Sequence, residues 1–516
     1  MYLNTTVPYK NFSNLLKEEL YVDKSKIIEI LNARINTTRK YICVTRPRRF
    51  GKSEITNLIG SYYGCIFDTK QIFDNLQIAT TKTYITHLNK YNILYIDFSN
   101  VGDKIENYDS YIDRIINNLN KDLSKAYPHH NLEEYDTLAT KLEATNEEFI
   151  LIFDEWDYIF NKNLYPQQQE IFLDFLRNLL KGRTYVALCY MTGILPIKKH
   201  SEGSALNMFE EYTFLNDVVF STYFGFTETE VNTLCKQHNI SYNTIAEWYN
   251  GYTTAKGIKI FNPRSVKIAI SDNYCQSYWS NTGDMNEVLK YLKLNTLGVR
   301  EDIIKMINGE SISISITKDY RAGAKTPSSK QEIYSAMVTL GFLSYSNRKL
   351  RIPNKELMLE FEDAIKDKSF GELAVIINNA NDMLEATLGK DTAKIAKLIH
   401  DIHNLEIPIL EYNDENSLSC VLTLAYLSAR DVYRIEREEK SGKGYVDFIF
   451  HPRYNNDIPI VIELKCNKSP KVALEQIIEK EYVNKLFKQD VLIVGINYDK
   501  NTKEHTCAIQ QIEYIP

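Results

Sequence analysis

At 516 residues the chain is too long for one hydrophobic core, so two to four domains are expected. Its 44% hydrophobic and 25% charged residues describe an ordinary globular protein, and a net charge of −6 gives no global cationic field for nucleic acid. The eight cysteines form no C-x-x-C pair, which disfavours a zinc site or a disulfide framework, and neither a signal peptide nor a membrane-length apolar run is present, so a cytoplasmic location without a membrane partner is expected.

The first informative segment is Tyr41-Ile42-Cys43-Val44, an apolar run that reads as a buried strand. Thr45-Arg46-Pro47-Arg48-Arg49-Phe50-Gly51-Lys52-Ser53 follows, and then Ile55, Leu58 and Ile59 recur at helical spacing. Strand, tight loop and helix is the context of a nucleotide-binding loop. Backbone amides at the helix start face a phosphate, the lysine reaches the β- and γ-phosphates, and the serine hydroxyl holds Mg²⁺. Arg46 stands where the general pattern has its first glycine, and Pro47, Arg48 and Arg49 make the loop stiffer and more cationic. Arg46, Arg49, Phe50, Gly51, Lys52 and Ser53 are the candidate ATP contacts; an ordinary basic strand-to-helix turn is the alternative.

Four further runs are expected to join the same parallel sheet: Ile93-Leu94-Tyr95-Ile96, Phe149-Ile150-Leu151-Ile152-Phe153, Tyr185 to Cys189, and Val218-Val219-Phe220. Helical patterns such as Tyr111-Ile112-Ile115-Ile116-Leu119 and Phe172-Phe175-Leu176-Leu179 alternate with them, which predicts a doubly wound α/β domain over 1–225. The run at 149–153 delivers Asp154 and Glu155 at its C-terminal edge, where open α/β sheets bind ligands. Asp154 is placed to hold Mg²⁺ and Glu155 to orient an attacking water, with nearby Asp157 a rival base. Thr192, after the strand at 185–189, is a candidate γ-phosphate sensor or a plain strand-end residue.

From 226 to 353 short helices dominate, with Trp248-Tyr249-Asn250-Gly251-Tyr252 between them. A helix over Tyr334–Phe342 ending at Gly341, then two short strands about the turn at 346–349, outline a winged helix. Residues 354–405 read as a helical connector, and 406–516 as a last domain.

That domain holds a second constellation. Val446-Asp447-Phe448-Ile449-Phe450 and Pro459 to Lys465 read as strands joined by a polar turn at Asn455-Asn456-Asp457. A hairpin brings Asp447 beside Glu463 and Lys465, and the last two share one face. Two carboxylates suit Mg²⁺, with Mn²⁺ the other ion of interest, and the lysine is placed to activate a water or stabilise charge in phosphodiester cleavage. Glu415 opens a helix and could add a third ligand, and Gln476 could orient the site. A surface ion pair is the bland alternative for the E-x-K pattern. Residues 406–516 carry 14 Lys/Arg against 18 Asp/Glu, a net of −4, so phosphate neutralisation needs a local patch.

The chain resembles bacterial AAA-ATPase-like proteins that carry a C-terminal PD-(D/E)XK nuclease-superfamily domain. The marks are Tyr21-Val22-Asp23-Lys24, the Arg46–Ser53 string, Thr192-Gly193, Phe224-Gly225-Phe226-Thr227, Trp248 to Tyr252, Asn262-Pro263, then Asp447, Glu463-Leu464-Lys465 and Gln476-Ile477. The resemblance implies metal ligands at Asp447 and Glu463, a catalytic Lys465, and Glu415 as the weaker upstream match. Val446 stands where a proline often precedes the first aspartate. The implied protein is an ATPase coupled to a metal-dependent nuclease acting on DNA or RNA, with homo-oligomerisation among the expectations. The alternative is a nucleotide-dependent switch whose last domain grips nucleic acid or protein without cutting.

Overall fold

The computed structural model describes residues 2–100, 107–197, 205–279, 298–307, 309–316, 320–324, 327, 329–365, 380–403, 415–441, 444–454, 457–479 and 489–514. They belong to two compact units, Met1–Asp284 with Ser311–Met358, and Met285–Glu310 with Leu359–Pro516.

The first unit is built on a parallel sheet of β1 (Tyr41–Thr45), β2 (Asn92–Asp97), β3 (Phe149–Asp154), β4 (Val186–Gly193) and β5 (Glu210–Tyr212), in the order β2-β3-β4-β1-β5. β1, β3 and β4 are buried along their whole length, as strands covered on both faces must be. The amphipathic helices Tyr108–Ala126 and Gln169–Leu180 bury Ile112, Ile115, Leu119 and Phe172, Leu176, Leu179, the positions that the spacing predicts. The architecture is mixed α/β with a P-loop-like sheet.

One expected strand does not form. Residues 218–220 are bends, and the edge beside β1 is Glu210–Tyr212 instead. The Asp217 carboxylate accepts from the amides of Val219 and Phe220 at 2.7 and 2.8 Å, taking donors that a ladder requires.

Beyond this sheet, β6 (Phe226–Thr227), β7 (Tyr252–Thr253) and β8 (Lys259–Phe261) form a small antiparallel sheet in the order β6-β8-β7. Helices Glu228–Gln237, Tyr242–Tyr249 and Pro263–Asp272 bury Val231, Leu234, Ile245, Tyr249, Val266 and Ala269 in one core cluster. Helix Lys330–Leu340 stops at Gly341, which takes a left-handed φ of 89°. A hairpin of β10 (Ser344–Ser346) and β11 (Lys349–Arg351) follows, with β9 (Ile312–Ser313) on its outer side. The Tyr252 hydroxyl donates to the Gly341 carbonyl at 2.6 Å and fixes this helix-and-hairpin element on β7.

The second unit is centred on a mixed sheet of β12 (Tyr433–Ser441), β13 (Gly444–Pro452), β14 (Ile460–Cys466), β15 (Val491–Asp499) and β16 (Glu504–Ile512), in chain order. All pairs are antiparallel except β14 with β15. A parallel neighbour needs a crossover, and the helix Pro470–Glu479 lies in that connection. The expected turn residues Asn455 and Asn456 lie outside the described residues.

Candidate functional site

The helix Lys52–Tyr63 follows β1 across the loop of residues 46–51, and Gly51 caps it at φ 83°. Arg49 also adopts a left-handed φ of 71°, uncommon for a side-chain-bearing residue. The free amides of this helix start open onto a cavity of about 480 Å³, lined by Arg48, Arg49, Gly51, Lys52, Ser53 and Glu155, and on the far wall by Glu18, Pro263, Arg264 and Lys267. Such an electropositive, donor-lined cavity can hold polyphosphate.

Lys52 is buried, with its ammonium 3.3 Å from the Pro47 carbonyl and 3.6 Å from the Glu155 carboxylate. Asp154 ends β3 beneath the loop, where its Oδ1 accepts from the Glu155 amide at 3.0 Å and its Oδ2 lies 3.4 Å from the Thr56 hydroxyl, one helical turn on from Ser53, so the serine and aspartate needed to share a hydrated cation lie in the same region. Burial, then the neighbouring Glu155 charge, pushes the Asp154 carboxyl up to about 6. A cation at Ser53 and Asp154 would relieve that cost, so the donor set fits Mg²⁺. Arg49 is pushed down to about 10, first by burial and then by the charges of Arg264 and Arg48, a crowding that an anion would relieve.

Three expectations at this site need correction. Arg46 does not face the cavity. Its guanidinium is 2% exposed, ion-pairs with Asp217 and donates to the carbonyls of Thr45 and Tyr212 at 2.7 and 2.9 Å. Thr192 is fully buried, and its hydroxyl donates to the Val44 carbonyl at 2.8 Å, which joins β4 to β1. Phe50 is a core residue whose ring meets Phe214 and Tyr252 edge-on, so only its backbone belongs to the loop. Asp157, the rival base, is fully buried with its oxygens on the amides of Ile194 and Leu195, 2.8–3.2 Å away, which leaves Glu155 at the cavity.

In the second unit the β13–β14 register pairs Phe448 with Ile462, so Asp447 and Glu463 come next on the same face. The Leu464 amide donates to Asp447 Oδ2 at 2.8 Å. Glu463 is 3% exposed, and its Oε1 accepts from Lys465 Nζ at 2.8 Å and from the Gln476 amide. Its Oε2 is buried without a hydrogen-bond partner. Burial, then the Asp447 charge, holds the Glu463 carboxyl above the usual carboxylate range. An unsatisfied buried carboxylate oxygen next to a second carboxylate fits a divalent cation. Among the described residues no three His, Cys, Asp or Glu side chains converge, so the described ligand set is Asp447 and Glu463. Glu415 opens the helix Glu415–Ala425, but its side chain lies outside the described residues.

Residues 7–201 match the family model of AAA-ATPase-like proteins, described as a predicted AAA-ATPase, and residues 413–507 match that of the PD-(D/E)XK nuclease superfamily. The chain carries an AAA-ATPase-like domain and a PD-(D/E)XK nuclease-superfamily domain. No curated protein matches it. A solved structure described as the Walker-type ATPase PABY2304 of Pyrococcus abyssi is similar at 13% identity, with a TM-score of 0.34, over 66% of this chain and 94% of that one. The fold assignment rests on the sheet order and the two family matches.

Sequence reasoning missed the cavity's far wall in the ATPase-like domain. Asn262 caps the helix Pro263–Asp272 through the amides of Arg264 and Ser265, a helix start that Asn-Pro signals locally. Arg264 and Lys267, three apart, therefore share a face, but only the fold brings that face to the loop. Lys267 spans the cavity edge, 2.9 Å from Glu18 and 3.6 Å from Glu54.

Proposed function

We propose that the protein binds ATP with Mg²⁺ at the loop of residues 48–53 and hydrolyses it, and that its C-terminal domain cleaves nucleic-acid phosphodiesters with a divalent metal. The observation that carries the first half is the convergence of Lys52, Ser53 and Glu155 on one cation-walled cavity, with Asp154 buried at the end of β3 just before Glu155. Loop amides and Lys52 bind the β- and γ-phosphates, while Arg49 and Arg264 offset the anion's charge from either wall. Ser53 and Asp154 would hold an Mg²⁺, which when bound would supply charge neutralisation on the phosphate oxygens. Glu155 turns from Lys52 to the attacking water and takes its proton.

In the nuclease-superfamily domain, Asp447 and Glu463 Oε2 would hold a divalent metal, which when bound would supply Lewis-acid activation of a water and of the phosphodiester. Lys465 lies against Glu463 and is placed to move toward the scissile phosphate. Gln476 fixes the Glu463 rotamer by holding Oε1. DNA and RNA are both candidate substrates, with Mn²⁺ the alternative ion. We assign residues 1–225 to the ATPase-like domain, 226–353 to a lid with a winged-helix-like element, 354–405 to a connector and 406–516 to the nuclease-like domain. Among the described residues no helix is long and apolar enough to cross a membrane. We propose a cytoplasmic protein that forms a homo-oligomer, which its mass in solution tests.

A second reading is favoured by one observation: Lys465 is tied to Glu463 and to the Leu464 carbonyl, 2.7 Å away, in a domain of net negative charge. In that reading the last domain grips its partner without cutting, under nucleotide control. The deciding experiment incubates wild type and Glu463→Ala with DNA and RNA, with and without Mg²⁺ or Mn²⁺ and ATP. Metal-dependent cleavage that Glu463→Ala abolishes supports the nuclease; binding without cleavage supports the switch.

A further inference from the structure

We propose that Asp217, acting through Arg46, is the positioning residue that holds the nucleotide loop in its binding shape; this rests on the ATP reading above. A glycine-rich loop takes its shape through backbone freedom. Here the first glycine's place is taken by Arg46, and the loop is held from outside by side chains.

Each residue from 46 to 50 except Arg48 has a described anchor. Arg46 forms a buried ion pair with Asp217, 171 positions along the chain, and its guanidinium carbon lies 4.8 Å from the Phe224 ring centre. Asp217 is itself 1% exposed and is fixed by the amides of Val219 and Phe220. Pro47 lies against Gly341, where a β-carbon would stand 2.6 Å from the proline Cβ. Arg49 Nη1 donates to the Tyr278 carbonyl at 3.4 Å, and the Phe50 carbonyl accepts from the Gly225 amide at 3.1 Å.

Arg46 is the most buried charged side chain of residues 46–50, and a buried charge keeps its place only while its partner does. The left-handed turns at Arg49 and Gly51 follow it within five residues, and a conformation of that kind persists where its surroundings over-determine it. The Arg46–Asp217 pair supplies that constraint. It touches no part of the cavity, so it acts by pre-organisation: the loop is ordered before the phosphate arrives, and binding does not bear that entropic cost.

The test measures ATP affinity at several salt concentrations in wild type, Asp217→Asn and the double variant Arg46→Met with Asp217→Leu, each first shown to be folded by circular dichroism. The double variant keeps net charge and fills the buried volume with apolar side chains, a replacement that buried ion pairs often tolerate, so it gives the answer if Asp217→Asn does not fold. Folded variants are expected to bind ATP at least tenfold more weakly, with an unchanged slope of affinity against salt, because no phosphate contact is lost. A folded variant with wild-type affinity overturns the inference. So does a flattened salt slope, which would make Arg46 a direct phosphate ligand. If wild type itself binds no ATP, the nucleotide reading fails instead.

Discussion

Gly193 and Asp157 are packed so closely that a β-carbon on residue 193 would stand 2.9 Å from Asp157 Cγ and 2.8 Å from Trp156 Cδ1. The glycine ends β4, and its carbonyl accepts from the Arg46 amide at 3.0 Å. The Asp157 oxygens take the next two amides after it. The acidic turn, the end of β4 and the first residue of the loop are therefore locked around one missing side chain. Gly193→Ala forces the turn outward, and overpacking of this kind costs about 1–3 kcal/mol. Urea denaturation should show that loss; unchanged stability would mean that the turn has room to yield.

Lys52→Ala should remove most ATP binding, since it deletes the buried ammonium at the head of the cavity. A ligand that binds only the native state stabilises it by about 2.7 kcal/mol at a hundredfold excess over Kd. The thermal shift that ATP and Mg²⁺ give wild type should therefore vanish in the variant. An equal shift in both would place the nucleotide elsewhere.

Glu155→Gln should keep ATP affinity while turnover drops by about 10²–10⁴-fold, the range of a general base. Asp157 offers no substitute, because it is buried on backbone amides. Phosphate-release kinetics measure this, and wild-type turnover in Glu155→Gln clears the residue of the role.

Burial and the Glu155 charge push the folded-state Asp154 carboxyl up to about 6, against an ordinary aspartate value of about 3.9. The folded state thus binds more protons than the unfolded one between those values. Through Asp154, stability of the nucleotide-free protein should accordingly fall as pH rises from about 4 to about 6. Asp157, pushed up to about 7 by burial and then by the Glu155 charge, acts in the same direction and carries the fall on to about pH 7 before it levels off. Mg²⁺ with ATP favours ionised Asp154 and should flatten the slope, which urea midpoints across this pH range would report. A stability that climbs over the window contradicts the assignment.

At the second site, Glu463→Gln should weaken Mg²⁺ or Mn²⁺ binding at least tenfold, measured by titration calorimetry, while the ATP thermal shift stays. Because the Glu463 carboxyl is raised, protons compete with the metal. Affinity in wild type should therefore strengthen as pH rises through that carboxyl's titration, and in Glu463→Gln this dependence should be reduced. Metal affinity insensitive to both changes would move the site away from Glu463.

Much of the scaffold is legible locally. The β3 run Phe149 to Phe153 and the strand–loop–helix at 41–63 are short-range patterns, since burial on both faces demands apolar residues at every position. The hairpin carrying Asp447 and Glu463 is equally readable, because strands close in sequence pair as neighbours. The strand expected at 218–220 failed for a local reason with a distant cause. Its apolar residues follow Asp217, whose carboxylate caps their amides and answers to Arg46.

The sequence by itself determined which residue types stand at the two sites, because phosphate and divalent metal demand particular donors at particular strand and helix ends. Only the tertiary structure decided what each donor touches. It withdrew Arg46 and Thr192 from the cavity, brought Arg264 and Lys267 to it, and left Glu463 Oε2 without a partner. The reason is the cost of burying charge: a charged group in the interior must be matched by an opposite charge or by hydrogen bonds. Its partner can come from any point in the chain, and for Arg46 that point is 171 residues away.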